Sequence, residues 1–191
     1  MRIDKVPNIL SALRLFSIPV LYWTFRNNFV FISSLVLVFV IVTDILDGYL
    51  ARKYSAVSII GTLLDHGADK LISIALSFLL YYFYKLPAWA FYFFVLRDVF
   101  ITIFGLGLYL GLKLAFGSLW LGKVAGAFYY GMVFGYLLNF ERFSTICMII
   151  SVCLFSLVLV IYPFKFLPIV KAVIFERKGG VKFDEFSNIS I

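Results

Sequence analysis

The sequence predicts an all-α polytopic membrane protein with six transmembrane helices and both termini in the cytoplasm. Three observations support this fold class. Of the 191 residues, 63% are hydrophobic and only 14% are charged, whereas soluble domains average about one half and one quarter. The mean hydropathy is +1.04. The apolar residues form long runs without the short alternating pattern of strands, which indicates helices.

The positions of charged and turn-forming residues divide these apolar runs into six spans. A membrane-spanning helix needs about 20 mostly apolar residues, and the charge-free run 143–164 reaches that length. Charges interrupt the other spans, and short joints separate them. The predicted helices cover residues 8–25, 29–51, 58–84, 87–110, 119–138 and 144–164. Residues 1–166 would form the membrane domain, and residues 167–191 a cytoplasmic tail along the membrane interface.

Basic residues near the predicted helix ends indicate the orientation. Ten lie on one side and three on the other, and the side richer in Lys and Arg faces the cytoplasm. The net charge of +7 then reflects orientation and attraction to anionic lipids, so no nucleic-acid partner is predicted. The richer side carries Arg2, Lys5, Arg52, Lys53, Lys113, Lys165, Lys171, Arg177, Lys178 and Lys182, and the other side carries Arg26, Lys85 and Arg142.

Four aspartates flank the joint between the second and third predicted helices, in DILDGYLARKYSAVSIIGTLLDHGADK. Asp44 and Asp47 are three residues apart, and Asp65 and Asp69 are four apart, so each pair shares one helix face. Both pairs lie about 10–12 Å along their helices from the joint. Antiparallel helices would therefore bring them to a similar depth. Clustered carboxylates require cations, and oxygen ligands favour hard divalent ions, of which four carboxylates suit two.

Small residues accompany the acidic pairs. Gly48 follows Asp47 directly, and Ala51 and Gly61 each lie one helical turn from an aspartate. Such residues would either leave room for a ligand against the backbone or allow close packing of helices. The neighbouring carboxylates favour the ligand.

The complete pattern, D-x2-D-G-x2-A-R-x8-G-x3-D-x3-D, resembles the signature of the CDP-alcohol phosphatidyltransferase family. The likeness is closest to the subgroup of phosphatidylglycerophosphate synthases and cardiolipin synthases, and it covers the chain up to about Phe164. Eight residues fill the positions of the pattern: Asp44, Asp47, Gly48, Ala51, Arg52, Gly61, Asp65 and Asp69.

This resemblance implies an enzyme that transfers a phosphatidyl group, or its ether-lipid equivalent, from a CDP-lipid to an alcohol and releases CMP. The four aspartates would hold two divalent metal ions, Mg²⁺ or Mn²⁺, and Asp69 would act as the general base. For Asn8, helix capping is an equal alternative to ligand binding. The CDP-lipid would lie against Asn8, Gly48, Ala51, Arg52, Ser58 and Gly61.

The resemblance also bears on the acceptor. Lys70, Arg97 and Lys123 would line a pocket for a phosphorylated alcohol, with glycerol 3-phosphate as the leading acceptor. An ion pair of Arg97 with Asp98 or a motif aspartate is the alternative to that pocket.

Two departures from the subgroup leave a lipid acceptor such as phosphatidylglycerol open. Ala125-Gly126 replaces a Lys-Thr pair that is common among glycerol-phosphate users, and His66 replaces a common proline.

The same resemblance implies an oligomeric state and a location for the protein. Family members are commonly dimeric, so we expect a homodimer in the membrane whose active site opens to the cytoplasmic face. Three glycine pairs at a spacing of four predict close helix packing, within one subunit or between two. These pairs are Gly107/Gly111, Gly122/Gly126 and Gly131/Gly135.

Two other classes of protein fit the aspartate pattern less well. A cation transporter would use intramembrane carboxylates, but it would favour acidic residues at several depths. A non-catalytic packing subunit would not require four aspartates at one level.

Overall fold

The computed structural model describes residues 6–54, 59–112 and 120–177, which form six α-helices and no strand. The all-α class is therefore confirmed. Every predicted helix boundary agrees to within three residues except the end of the last helix. The helices are α1 (Val6–Arg26), α2 (Val30–Tyr54), α3 (Ile59–Tyr84), α4 (Ala88–Leu112), α5 (Trp120–Leu137) and α6 (Glu141–Arg177).

The last helix continues well past its predicted end at residue 164 and reaches Arg177. The prediction was wrong because it took the end of the charge-free run, just before Lys165, as the end of the helix. Lysine is a good helix former, so a charge marks where apolar sequence stops and not where helical backbone stops. The predicted boundary between residues 166 and 167 falls inside α6, and residues 178–191 lie outside the described part.

Two of the described helices are long and apolar enough to cross a membrane, over Ala88–Gly107 in α4 and Glu141–Ile161 in α6. A shorter apolar stretch, Val30–Leu46, lies in α2. The apolar stretch in α2 includes Asp44 near its end and stops directly before Asp47. The charges of the predicted site thus interrupt the apolar sequence of this helix.

Three short connections at one end of the molecule join the helices into hairpins. In each, one residue adopts a left-handed backbone conformation, with φ of 54° at Asn28, 56° at Lys85 and 57° at Asn139. The N–H of Phe29 donates to the carbonyl of Thr24 at 2.9 Å, as in a helix-ending Schellman motif. The connection after Asn139 repeats this bond. These turns make α1–α2, α3–α4 and α5–α6 antiparallel pairs.

The packing places α3 between α1 and α4, while α5 packs along α6. Fully buried apolar side chains such as Phe25, Leu76 and Met132 fill the space between these helices. Large apolar side chains also point outward, among them Phe16 with 76% and Trp120 with 77% exposure. Soluble monomers rarely expose apolar surface on this scale, so the outer face suits a lipid environment.

One glycine pair brings α5 and α6 into close contact. A Cβ added to Gly135 would lie 2.9 Å from Cβ and 3.0 Å from Cα of Ser144. A Cβ at Gly131 would lie 3.4 Å from Sγ of Cys147. At Gly122 and Gly126, by contrast, an added Cβ would meet nothing within 4 Å. Close packing within the subunit therefore accounts for Gly135, while Gly131 lies at ordinary contact distance from α6.

We expect Gly135→Ala to destabilise the protein by about 1–3 kcal/mol, because the new methyl group meets backbone and not a flexible side-chain end. Thermal unfolding of the detergent-purified protein measures the effect. Gly105→Ala is the control, at an exposed glycine of α4 where an added Cβ meets nothing within 4 Å, and its Tm should equal or slightly exceed that of wild type. Equal Tm values for the two variants would contradict this account of α5–α6 packing.

Candidate active site

A buried arginine on α1 joins the two acidic helices. The side chain of Arg14 has 0% exposure, and its Nη1 donates to Oδ1 of Asp44 on α2 at 3.2 Å. The same nitrogen donates to Oδ1 of Asp69 on α3. Since α1 packs against both α2 and α3, the guanidinium brings carboxylates 25 positions apart to one point.

The two aspartates remain accessible although the arginine does not. Their side chains are 51% exposed at Asp44 and 37% exposed at Asp69. A substrate or ion can therefore reach these carboxylates from outside, while Arg14 contacts them from the interior. The structure brings the first and last aspartates of the motif together, at the similar depth that the sequence predicts.

The other motif residues occupy the helix positions predicted for them. Asp47, Gly48, Ala51 and Arg52 lie in the last turns of α2, Gly61 and Asp65 in the first turns of α3, and Asn8 in the first turn of α1. Their side chains lie outside the described part of the structure. So does Ser58, which belongs to the connection between α2 and α3.

The described donors fit a divalent metal ion in their chemistry. Asp44 and Asp69 offer carboxylate oxygens, which Mg²⁺ and Mn²⁺ prefer. Arg14 contributes one positive charge beside their two negative charges. Among the described side chains, no three His, Cys, Asp or Glu groups converge. Asp47 and Asp65 would supply the remaining predicted ligands.

A second charged cluster connects α3 with α4. Oδ1 of Asp98, a fully buried residue, accepts from Nζ of Lys70 at 3.0 Å and from Nη2 of Arg97 at 2.5 Å. The guanidinium of Arg97 also lies over the ring of Phe155 on α6, at 3.6 Å from the ring centroid. Two cations share one carboxylate, so the cluster carries one excess positive charge.

The second charged cluster contains two of the three predicted acceptor residues. Lys70 and Arg97 meet at Asp98, and the Arg97–Asp98 ion pair considered from the sequence is present. Within the described residues, Nη1 of Arg97 and Oδ2 of Asp98 are buried without a hydrogen-bond partner. Lys123 is exposed on α5 and forms no ion pair with a described acid. The structure therefore does not place it in the cluster of Lys70 and Arg97.

A hydroxyl network that sequence reasoning missed supports the second cluster. The hydroxyl of Tyr129 on α5 lies 2.9 Å from Oγ of Ser77 and donates to the carbonyl of Ser73 at 2.9 Å. Oγ of Ser73 accepts from Nη2 of Arg97 at 3.5 Å. The missed signal is the spacing of Asp69, Ser73 and Ser77, which places three polar side chains on one face of an apolar helix.

Helical architecture, membrane-type apolar surface and converging carboxylates together define a membrane-associated helical protein with a polar site between its helices. Residues 4–160 match the CDP-alcohol phosphatidyltransferase family, and the chain belongs to that family. The resemblance predicted from the aspartate pattern is confirmed. Family membership favours an enzyme over a cation transporter.

Curated relatives carry two kinds of name. The chain is 42% identical over 76 residues to the CDP-diacylglycerol--glycerol-3-phosphate 3-phosphatidyltransferase of Rickettsia bellii, covering 38% of this chain and 42% of the relative. A protein of the same name from Aquifex aeolicus is 38% identical over 107 residues, covering 53% and 58%. The cardiolipin synthase (CMP-forming) of Streptomyces coelicolor is 38% identical over 94 residues, covering 46% and 44%. The chain thus spans about half the length of the curated relatives it matches.

We expect Asp98→Asn to lower stability strongly, because it removes the only described counter-charge of two cations, one of them buried. Breaking a buried ion pair from one side costs about 3–5 kcal/mol. Thermal unfolding in detergent would show the loss as a lower Tm. Glu141→Gln, at an exposed acid on α6, is the control and should change Tm little. An unchanged Tm for Asp98→Asn would refute the cluster's structural role.

Proposed function

We propose that this protein is a membrane enzyme that transfers a phosphatidyl group, or its ether-lipid equivalent, from a CDP-lipid to glycerol 3-phosphate and releases CMP. The convergence of Asp44 and Asp69 on Nη1 of Arg14 carries the proposal. It assembles the outer members of the family motif into one accessible acidic site. The names of the Rickettsia and Aquifex relatives support glycerol 3-phosphate as the acceptor.

The proposed reaction needs a base beside the acceptor hydroxyl. The hydroxyl oxygen attacks the phosphatidyl phosphorus, the bond from that phosphorus to CMP breaks, and the hydroxyl proton passes to the base. Asp69 suits this role because its carboxylate is partly exposed and is held by Arg14. Catalysis of phosphoryl transfer rests mainly on such positioning and on charge stabilisation.

Two divalent metal ions, Mg²⁺ or Mn²⁺, are the proposed cofactors. Asp44, Asp47, Asp65 and Asp69 would hold them, and the oxygen donors of Asp44 and Asp69 support this assignment. When bound, the ions would neutralise charge on the donor pyrophosphate and on the departing CMP.

The donor nucleotide is proposed to lie at the same end of the helices. Arg52 follows Asp44 by eight residues and Asn8 precedes Arg14 by six, distances of about 12 Å and 9 Å along their helices. Arg52 would donate charge-assisted hydrogen bonds to phosphate. The full set proposed for the CDP-lipid remains Asn8, Gly48, Ala51, Arg52, Ser58 and Gly61.

The acceptor would bind near the excess positive charge of the second cluster. Lys70 directly follows Asp69, the proposed base. Lys70 and Arg97 both form an ion pair with the carboxylate of Asp98. The phosphate of glycerol 3-phosphate would accept hydrogen bonds from these cations, with Lys123 as a third, more distant candidate. Phosphatidylglycerol is the second candidate acceptor, favoured by the Streptomyces relative's name and by the partial neutralisation at Asp98.

The proposed setting is an integral membrane protein with six spans, both termini and the active site on the cytoplasmic side. The excess of basic residues on that side supports this orientation. A homodimer is also proposed. The open surface at Gly122 and Gly126 would admit a second subunit at short distance.

Purified protein with CDP-diacylglycerol and Mg²⁺ or Mn²⁺ should release CMP in the presence of glycerol 3-phosphate, and EDTA should stop the release. Product identification by mass spectrometry, with glycerol 3-phosphate and phosphatidylglycerol supplied separately, distinguishes the two acceptors. Turnover with phosphatidylglycerol alone would replace the leading acceptor and keep the reaction class. No CMP with either acceptor, or with other alcohols and an ether-linked donor, would contradict the proposed activity.

Asp69→Asn should lower kcat about 10²–10⁴-fold, because the amide keeps the size of the side chain but cannot take the proton. The Kd for CDP-lipid should change little. Asp44→Asn should instead weaken donor binding and metal binding together. Near-normal turnover of Asp69→Asn at saturating metal would show that another group is the base.

A further inference from the structure

Arg14 lies outside the aspartate motif, yet it is one of the largest fully buried side chains of the described residues. Its guanidinium stays protonated in proteins, so a positive charge is buried in the middle of α1. A buried charge is tolerated when partners of opposite charge contact it. Its described partners include Asp44 and Asp69, which come from two other helices.

Arg14 contacts the carboxylates of Asp44 and Asp69 from one side, and the other side of these carboxylates is accessible. Nη1 contacts both Oδ1 atoms, while Nη2 lies 3.4 Å from Oγ of Ser11, one turn earlier on α1. Ser11 is buried as well. The guanidinium is thus oriented from within its own helix, and both aspartates still face outward in part.

We infer that Arg14 is an internal counter-cation that holds Asp44 and Asp69 together and sets the geometry of the site. Arg14 is a positioning residue and takes no part in bond making. The inference concerns the site of the proposed function, and its link to metal binding rests on that proposal. A divalent ion would approach the carboxylates of Asp44 and Asp69 from the accessible side. Arg14 and the ion would therefore neutralise the same two negative charges, and either could partly compensate for loss of the other.

A double-mutant cycle in EDTA tests the first part of the inference. Arg14→Met should lower the Tm by about 5–15 °C, because it removes the buried cation that contacts both carboxylates. Asp44→Asn alone should lower the Tm less, since Arg14 retains Asp69. The double variant should be more stable than Arg14→Met alone, because one of the two repelling charges is gone.

Mn²⁺ tests the second part. It should raise the Tm of Arg14→Met by more degrees than it raises that of wild type, because the ion supplies the missing charge. Arg26→Met, at an exposed arginine on the same helix, is the matched control and should respond to Mn²⁺ as wild type does. Arg14→Lys keeps the charge and should recover part of the lost Tm.

Several outcomes would overturn the inference. Simple addition of the two single-variant losses, with the double variant least stable, would show that Arg14 only fills space. A Mn²⁺ response of Arg14→Met equal to or below that of wild type would remove the shared role of the cations. If Arg14→Met does not fold, recovery of folded protein by the added Asp44→Asn supports the inference, and failure to recover it counts against it. An absence of Mn²⁺ response in every protein would refute the proposed metal site, while the metal-free cycle still decides the role of Arg14.

Discussion

The buried ion pairs of Arg14 are the constraint on which the arrangement of the first three helices depends. A guanidinium with 0% exposure must be matched by anions, and the matching carboxylates come from α2 and α3. The helix α1 must therefore pack against both acidic helices at the level of Asp44 and Asp69. The same contacts that satisfy the buried cation also assemble the accessible acidic site.

The helix α3 connects this site to the second charged cluster. Asp69 and Lys70 are neighbours in sequence, so their side chains leave the helix about 100° apart. One points to Arg14 on α1 and the other to Asp98 on α4. Both ion-paired clusters therefore depend on how α3 is rotated about its axis. A general base and an acceptor pocket at these two clusters would keep a fixed position relative to each other.

The sequence predicts the helices well because hydrophobic runs, short joints and the aspartate spacings are local signals. It also predicts that the two acidic pairs lie at a similar depth, since helix period and distance from a joint determine depth. It offers the pair of the neighbours Arg97 and Asp98 as an alternative, but it does not reveal that Arg14 binds Asp44 and Asp69 or that Lys70 shares Asp98. Arg14, Lys70 and Tyr129 act through contacts between residues far apart in the chain, and no local spacing encodes such contacts. The end of α6 was missed for a different reason, because charge and helix propensity vary independently.

The distribution of exposure across the two clusters favours a preorganised site. The balancing groups, Arg14, Arg97 and Asp98, are buried, whereas Asp44 and Asp69 are partly open. Interactions inside a water-poor interior are less screened than at a surface, so the buried charges hold their partners in place more firmly. Groups that must meet a substrate are thereby positioned without being covered. Phosphoryl transfer benefits from this division, since its catalysis depends on charges already fixed before the substrate arrives.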